Sequence, residues 1–387
     1  MGIRQTKAST GFRLFERNRK ALVLGVVSLM GHFGGSIASS QEVNSGASDF
    51  FSENLSLSGR FHPQFDHLDS NLTVDGEESE LSADRLFFRR FMAGVKLDLN
   101  KQLRINYLAD VSDRVVKNQV ARLEIQLGKR DKLFVGYQKS PFGYEDTTSS
   151  ANVKPIERSA NTRFWNEVVG IGSYHAGVYQ YHDFGDGWNS VFGVTHNVKA
   201  DSDWPDLFGG DFASYLRLSK KGTFSPEVEH ETGVDLAYKP LEGAGDIFAA
   251  SVFSNLSFSE IEVKFEATAG EIDQGQGETN SAIGWHLQGS RMFGDTVELL
   301  VRYSQVDTDG YKLKLSSAIR KAPSSGYTYE NVDSLYLGSN FYLKGNNLKL
   351  SLGYEWGEGS NALSGPGPLN AVEEIVSGFR ARTQIKF

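Results

Sequence analysis

Gly378-Phe-Arg-Ala-Arg-Thr-Gln-Ile-Lys-Phe387 alternates without a break: Phe379, Ala381, Thr383, Ile385 and Phe387 fall on one face, and Gly378, Arg380, Arg382, Gln384 and Lys386 on the other. A period of two is that of a strand whose faces meet different surroundings. In a β-barrel set in lipid the outward residues are apolar and the inward ones polar. Here the inward face carries three cations, Arg380, Arg382 and Lys386. A half-buried strand of a soluble sandwich would also alternate, so the remainder of the chain has to decide between them.

Composition narrows the choice. Of 387 residues 39% are hydrophobic and 12% aromatic, with 41 Gly against 9 Pro. Such usage favours strands and tight turns. Cysteine is absent, which excludes disulfides, thiol catalysis and cysteine-based metal sites. Net charge is -8, yet residues 1–40 carry six basic side chains and a single acid, so the remainder is more acidic than the whole. An acidic surface is a poor match for nucleic acid, and no nucleic-acid partner is expected. The basic start is followed by the apolar run 21–30 and by Ser36-Ile-Ala-Ser-Ser40. That order reads as a secretory signal peptide over 1–40, cleaved after Ser40, with 41–387 as one barrel domain. Beyond it no apolar run approaches the roughly 20 residues of a spanning helix, so a membrane span must be built from strands.

Taken in order, residues 54–65, 90–99, 103–111, 121–127 and 133–137 alternate as strands. Others follow at 168–181, 188–198, 261–269, 297–303, 335–343, 348–356 and the terminal segment, with three more expected between 211 and 256 and one around Trp285. The fold class expected is all-β, a transmembrane antiparallel β-barrel of about sixteen strands. Breaks at 66–85, 140–167, 199–211, 270–279, 307–331 and 358–374 read as long loops, and those near 100, 129, 185, 294 and 345 as tight turns. Alternating long and short connections suit a barrel with external loops at one end. On inward parity Arg60, Arg90, Arg104, Arg122, Arg380, Arg382 and Lys386 line the lumen, while Arg89 falls out of phase and needs a bulge or a place at the rim.

Two stretches are more specific. Ser58-Gly-Arg60 is followed by Arg85-Leu-Phe-Phe-Arg-Arg90 and Arg104-Ile-Asn-Tyr107. Leu133-Phe-Val-Gly136-Tyr-Gln-Lys-Ser-Pro-Phe-Gly143-Tyr-Glu145 is followed by Thr147-Thr-Ser-Ser150 and Glu157-Arg158. In order and spacing these resemble the phosphate-selective porin O and P family of bacterial outer membranes. The resemblance implies a passive outer-membrane channel, a homotrimer in outer-membrane lipid, a sixteen-stranded porin domain and an inward-folded constriction loop, here 140–167 with Pro141, Phe142, Gly143, Glu145, Asp146, Lys154 and Arg158. It implies that arginines of the first two strands coordinate inorganic anions such as phosphate or polyphosphate, the matching positions being Arg60, Arg89 and Arg90. It also makes Phe387 the aromatic signal for outer-membrane insertion.

Some positions depart from the family pattern. Asp146 stands where phosphate-selective members have lysine, Lys139 where a tyrosine is found, and Gln119 where an acid tunes the site. A carboxylate on the path of an anion would repel it, so a general or other-solute porin with little phosphate selectivity is the alternative. An enzyme on a barrel, or a soluble glycan-binding β-sandwich, is a further rival. Neither Gly-x-Ser-x-Gly nor His-Glu-x-x-His occurs, and the histidines are scattered. No catalytic residue, metal or cofactor is expected.

Overall fold

A computed structural model describes residues 50, 53–112, 115–196, 211–241, 245–275, 277, 279–369 and 371–387. The expected signal peptide and most of the 199–211 break lie outside the described residues. Sixteen strands belong to one compact unit, Asn54–Phe387. They are β1 (Leu55–Val74), β2 (Glu77–Asp98), β3 (Leu103–Asp110), β4 (Lys117–Gln126), β5 (Asp131–Lys139), β6 (Tyr174–Gly185), β7 (Trp188–His196) and β8 (Phe212–Ser225). Then follow β9 (Val228–Pro240), β10 (Asp246–Phe258), β11 (Ile261–Asp273), β12 (Thr279–Phe293), β13 (Val297–Asp307), β14 (Thr328–Lys344), β15 (Leu348–Ser364) and β16 (Val372–Lys386). Each strand pairs antiparallel with the next, and β16 returns to β1, so the sheet is a closed barrel without an edge.

Burial is inverted relative to a water-soluble protein. Arg302 and Arg380 are only 2% and 1% exposed, whereas Phe192, Leu337 and Phe379 are 49%, 48% and 62% exposed. Along β1 the buried residues include His62, Gln64 and Asp66, and along β16 Arg380, Arg382 and Gln384. Polar groups therefore fill the interior and apolar ones form an outer belt, the arrangement that lipid demands.

The seam that closes the barrel uses the stretch quoted first. Arg60 stands opposite Lys386, Gln64 opposite Arg382 and Asp66 opposite Arg380. Phe387 and Gly59 exchange backbone bonds of 2.9 and 3.2 Å, and the Phe387 ring lies where a side chain on residue 59 would be.

Three expectations are corrected. The 66–85 break is no loop: β1 and β2 run through it and meet at Asp75-Gly76, whose φ values of 50° and 84° fit a two-residue hairpin turn of primed type. Their 20 and 22 residues exceed the roughly 9–11 that a tilted membrane strand needs, so the hairpin stands clear of the bilayer. The alternation was masked because the face that β1 buries here is largely polar, with Asp66 and Ser70 beside Leu68, and Glu77 to Ser82 of β2 are exposed on both faces. The other connections of this end at 270–279 and 358–374 are also shorter than expected, since β11, β12, β15 and β16 extend into them. The strand expected from Val168 begins only at Tyr174.

The expected bulge is present. His62 pairs with Arg90 but Pro63 with Phe88, which leaves Arg89 as the extra residue. A proline cannot donate to the ladder and is tolerated at such an irregularity. With the bulge, Arg89 and Arg90 both turn to the interior.

A side chain at Gly378 would begin 2.0 Å from the His67 carbonyl oxygen across the seam, whereas one at Gly289 would meet nothing nearer than 4.0 Å. Gly378→Val is therefore expected to cost on the order of 1–3 kcal/mol by overpacking, and Gly289→Ala almost nothing. The urea midpoint of the folded, heat-modifiable band on gels checks both; equal midpoints would refute the seam geometry.

Candidate functional site

Residues 140–173 leave the wall between β5 and β6, and the wall receives their polar groups. A bond of 2.9 Å from Ser140 N–H to the Ser173 carbonyl closes the base. Pro141 and the buried Phe142 lead to Gly143, whose φ of 78° is left-handed and suits glycine. The next turn is a short helix, α1 (Tyr144–Thr147). Its free N–H groups point at wall carboxylates: Gly143 donates to Asp235 of β9 at 2.9 Å, and Tyr144 and Glu145 donate to Glu266 of β11 at 3.0 and 2.8 Å. A buried carboxylate is well used on N–H groups that have no helical partner.

Further along, Glu145 accepts from Arg302 of β13 at 3.1 Å and from the Ser159 hydroxyl at 2.7 Å. Lys154 reaches Glu298 at 2.5 Å, Glu262 at 3.3 Å and the Ser290 hydroxyl at 2.8 Å. Ile156 N–H donates to the Tyr336 hydroxyl at 3.3 Å, while its carbonyl accepts from Arg382. Ser159 caps α2 (Ala160–Arg163), and a π-helical turn, Phe164–Val169, follows. The segment thus lies along the inward faces of β8 to β14 and β16.

A second segment joins it. Residues 308–327, read from sequence as an external break, carry α3 (Leu315–Ala318) and also turn inward. Arg163 donates to the Ser317 carbonyl at 2.7 Å, and Arg320 pairs with Glu157 at 3.0 Å. Between the two segments an apolar cluster includes Phe142, Phe164, Trp165, Leu315, Ile319 and Tyr329. Trp165 is therefore part of an interior core and not of an aromatic girdle.

The predicted cations divide into two groups. Arg89 makes a paired contact with Glu157 at 2.7 and 3.0 Å, and Arg380 joins Asp66 and Glu355 at 2.7 and 2.6 Å. Arg382 donates to the carbonyls of Ile156 and Pro155. Arg89, Arg382 and Lys154 anchor the segment, while Arg380 ties β1, β15 and β16 to residues 308–327 through the Arg320 carbonyl. Arg104 sits among Asp98 and Glu124 near the short-turn end, and Lys386 is exposed there opposite Arg60.

The other group borders open space. A cavity of about 840 Å³ lies on the β2 to β8 side, bordered by Arg60, Arg90, Arg122, Lys139, Arg158 and Arg217. Arg60 donates to the hydroxyls of Ser150 and Ser149 at 2.5 and 3.1 Å, so its charge meets no carboxylate in these contacts. Arg90 pairs with Asp110 at 3.0 Å and Arg122 with Glu124 at 2.7 Å. Arg158 donates to three carbonyls, those of Glu145, Asp146 and Thr148, at 3.3, 3.1 and 2.9 Å. The run Thr147-Thr-Ser-Ser150 supplies hydroxyls to the same cavity, as does Tyr174. Arg217, which pairs with Asp235 at 2.6 Å, was missed in the sequence because its strand lay in the region with the weakest alternation.

Asp146 does not stand alone in the passage. It is 3.0 Å from Lys139 Nζ and 3.6 Å from Arg158, and it accepts from Ser173 N–H at 3.3 Å. The residues at 139 and 146 thus compensate each other, a wall lysine paired with a loop acid.

Loop carboxylates follow from this geometry. Burial opposes ionisation of Glu157, but Arg89 and Arg320 outweigh it and hold the carboxyl well below the usual range. Burial likewise opposes ionisation of Glu145, yet Arg302 brings it down to about 2.

Residues 56–203 match the phosphate-selective porin O and P family. No curated protein is significantly similar to the chain in sequence. Among solved structures, an anion-selective porin from Comamonas acidovorans superposes with a TM-score of 0.59 at 12% identity, covering 86% of this chain and 99% of that one. The outer membrane channel DcaP of Acinetobacter baumannii gives 0.58 at 11% identity, over 86% and 97%. OmpT of Vibrio cholerae, in a trimer form, gives 0.53 at 11%, over 86% and 99%. The chain is an outer-membrane channel of bacterial type, and its barrel shares the fold of these porins.

Glu157→Gln would leave Arg89 without its charge partner and Arg320 with Glu167 alone, at a cost of about 3–5 kcal/mol in the segment's attachment. Single-channel recordings are expected to show larger and noisier currents; an unchanged trace would overturn the anchoring role. Because the carboxyls of Glu145 and Glu157 are depressed, their stabilisation is complete above the unfolded value of about 4.3 and is lost as pH falls through the lower folded values. Conductance should therefore be flat from neutral pH to about that value and change only in stronger acid.

Proposed function

We propose that this channel passes small inorganic anions, phosphate among them, along the cavity between residues 140–173 and strands β2 to β8. The observation that carries the reading is the set of cationic side chains facing that space together with the hydroxyls of residues 147–150. Guanidinium groups stay charged at any working pH and offer paired donors to oxyanions. Hydroxyls replace part of the hydration shell without adding charge. In a low-dielectric wall such a lining focuses a positive field on the lumen, although the chain as a whole is acidic. Within the cavity the segment 140–173 is the constriction, and Arg60, with Arg90 and Arg158 nearby, is the primary contact for a passing anion.

Asp110, Glu124 and Asp146 each neutralise one cation of the lining. This favours modest selectivity and rapid release over tight capture, and it supports a general small-anion porin as the second reading. The apolar belt supports contact with outer-membrane lipid, and a trimeric neighbour of the same fold supports a homotrimer.

In planar bilayers under a potassium chloride gradient, the reversal potential is expected to have the sign of chloride selectivity. Cation selectivity would sink the proposal. Phosphate added to the same bilayer should reduce chloride current, and Arg60→Ala should weaken that block roughly tenfold or more, as loss of a charged hydrogen-bond donor implies. If anion selectivity persists without phosphate block, the second reading holds.

A further inference from the structure

Barrel closure covers the edge of a strand only where its neighbours overlap it. Apart from the bulge at Arg89, β2 pairs with β1 from Glu77 to Leu97, but with β3 only from Met92 to Asp98. One further backbone bond, 2.7 Å from Val111 N–H to the Phe91 carbonyl, extends that side. Among the described residues, no strand pairs with 77–90 on the β3 side, and none of 77–90 is buried. In an antiparallel sheet about half of a strand's N–H and C=O groups point to each side, so this edge is a row of backbone groups without ladder partners.

The lower part of this edge lies within the apolar belt. The outward side chains of β2 run from Phe91 through Phe88 to Leu86, the last 80% exposed, and change to Asp84, Ser82 and Glu80 above. Lipid offers backbone groups no partner, so at residues 86–90 another polypeptide has to cover the edge. Beside it the wall is low: β3 has 8 residues, fewer than the roughly 9–11 of a tilted membrane strand. The β3–β4 connection there exposes Val115 and Val116, next to Lys117. A cover that every inserted chain needs must be present in equal number, which an identical chain always is. The outer face of the β1–β2 hairpin carries Glu78, Glu80 and Asp84, which repel the same face of a copy. Contact between copies is therefore head to tail, between unlike patches, the kind that closes into a ring.

We propose that the free edge of β2, with Leu86 and Phe88 projecting from it, docks on a second copy of this chain, against the Val115 and Val116 corner of that copy. This rests on the homotrimer reading above and names the face by which the copies meet. Lys117 at the corner brings a cation toward the acidic outer face of the neighbouring hairpin. The two patches are adjacent on one molecule, so three such contacts close around an axis that runs beside β2 to β4. The interface lies on the outside of the wall and does not depend on which solute the channel carries.

Native mass spectrometry of the full barrel in detergent tests it. Leu86→Arg should lower the trimer fraction roughly tenfold or more, while Phe192→Arg, on the outer face of β7, leaves it unchanged. Where Leu86→Arg fails to insert, cross-linking decides, since the chain has no cysteine of its own. Two differently tagged forms are co-expressed, one with Leu86→Cys and one with Val116→Cys, and treated with a short bis-maleimide. A band carrying both tags is expected, and none when Phe192→Cys replaces Val116→Cys. Backbone amides of residues 86–90 should exchange slowly with deuterium in the parent trimer. A parent trimer that gives no band joining positions 86 and 116, or that survives Leu86→Arg, overturns this interface and leaves the homotrimer reading standing. Fast exchange at 86–90 in the trimer overturns it as well. A parent chain that is monomeric overturns both.

Discussion

A loop can lie inside a barrel only if its backbone polar groups find partners there, and in this channel the wall supplies them as charged side chains. Asp235 and Glu266 accept from the N–H groups of the first turn, and Arg302 and Arg382 donate to carbonyls farther along. Each satisfies a backbone group, and Asp235 and Arg302 are in addition paired with Arg217 and Glu145. Taking charges out of water is least costly where such pairing is made. The interior is therefore a network of ion pairs that fixes one arrangement of residues 140–173, with an apolar cluster added where that segment meets residues 308–327.

The network explains why inward cations differ in role. Strand parity identifies which side chains face the lumen, but the side that the loop covers has no lumen left. Arg380 and Arg382 are on the covered side and became structural; Arg60 and Arg122 are on the open side and remained available. Parity could not separate them, because the distinction depends on which half of the wall the loop chooses. That choice rests on contacts between residues more than 80 positions apart, such as Tyr144 with Glu231 and Lys154 with Ser290.

The barrel was legible because lipid imposes a period of two on every strand that crosses it. Where polar residues occupy both faces the period fades, and there the reading failed: the β1–β2 hairpin passed for a loop although Asp75-Gly76 is a turn signal in its own right. The Arg89 bulge was legible as a phase error between neighbours that both had reason to face inward. The inward course of residues 308–327 was not, since a short apolar run within a long connection has no phase to reveal its direction.

The uneven attachment of the interior segment separates two kinds of position in this protein. On β8 to β14 and β16, inward residues are committed to holding the segment, and a change there endangers the fold before it alters traffic. On β3 to β7 few inward residues carry that duty. Solute preference can therefore drift along one half of the circumference while the other half keeps the architecture constant, so that the same scaffold can be retuned to new diets by substitutions confined to a single arc.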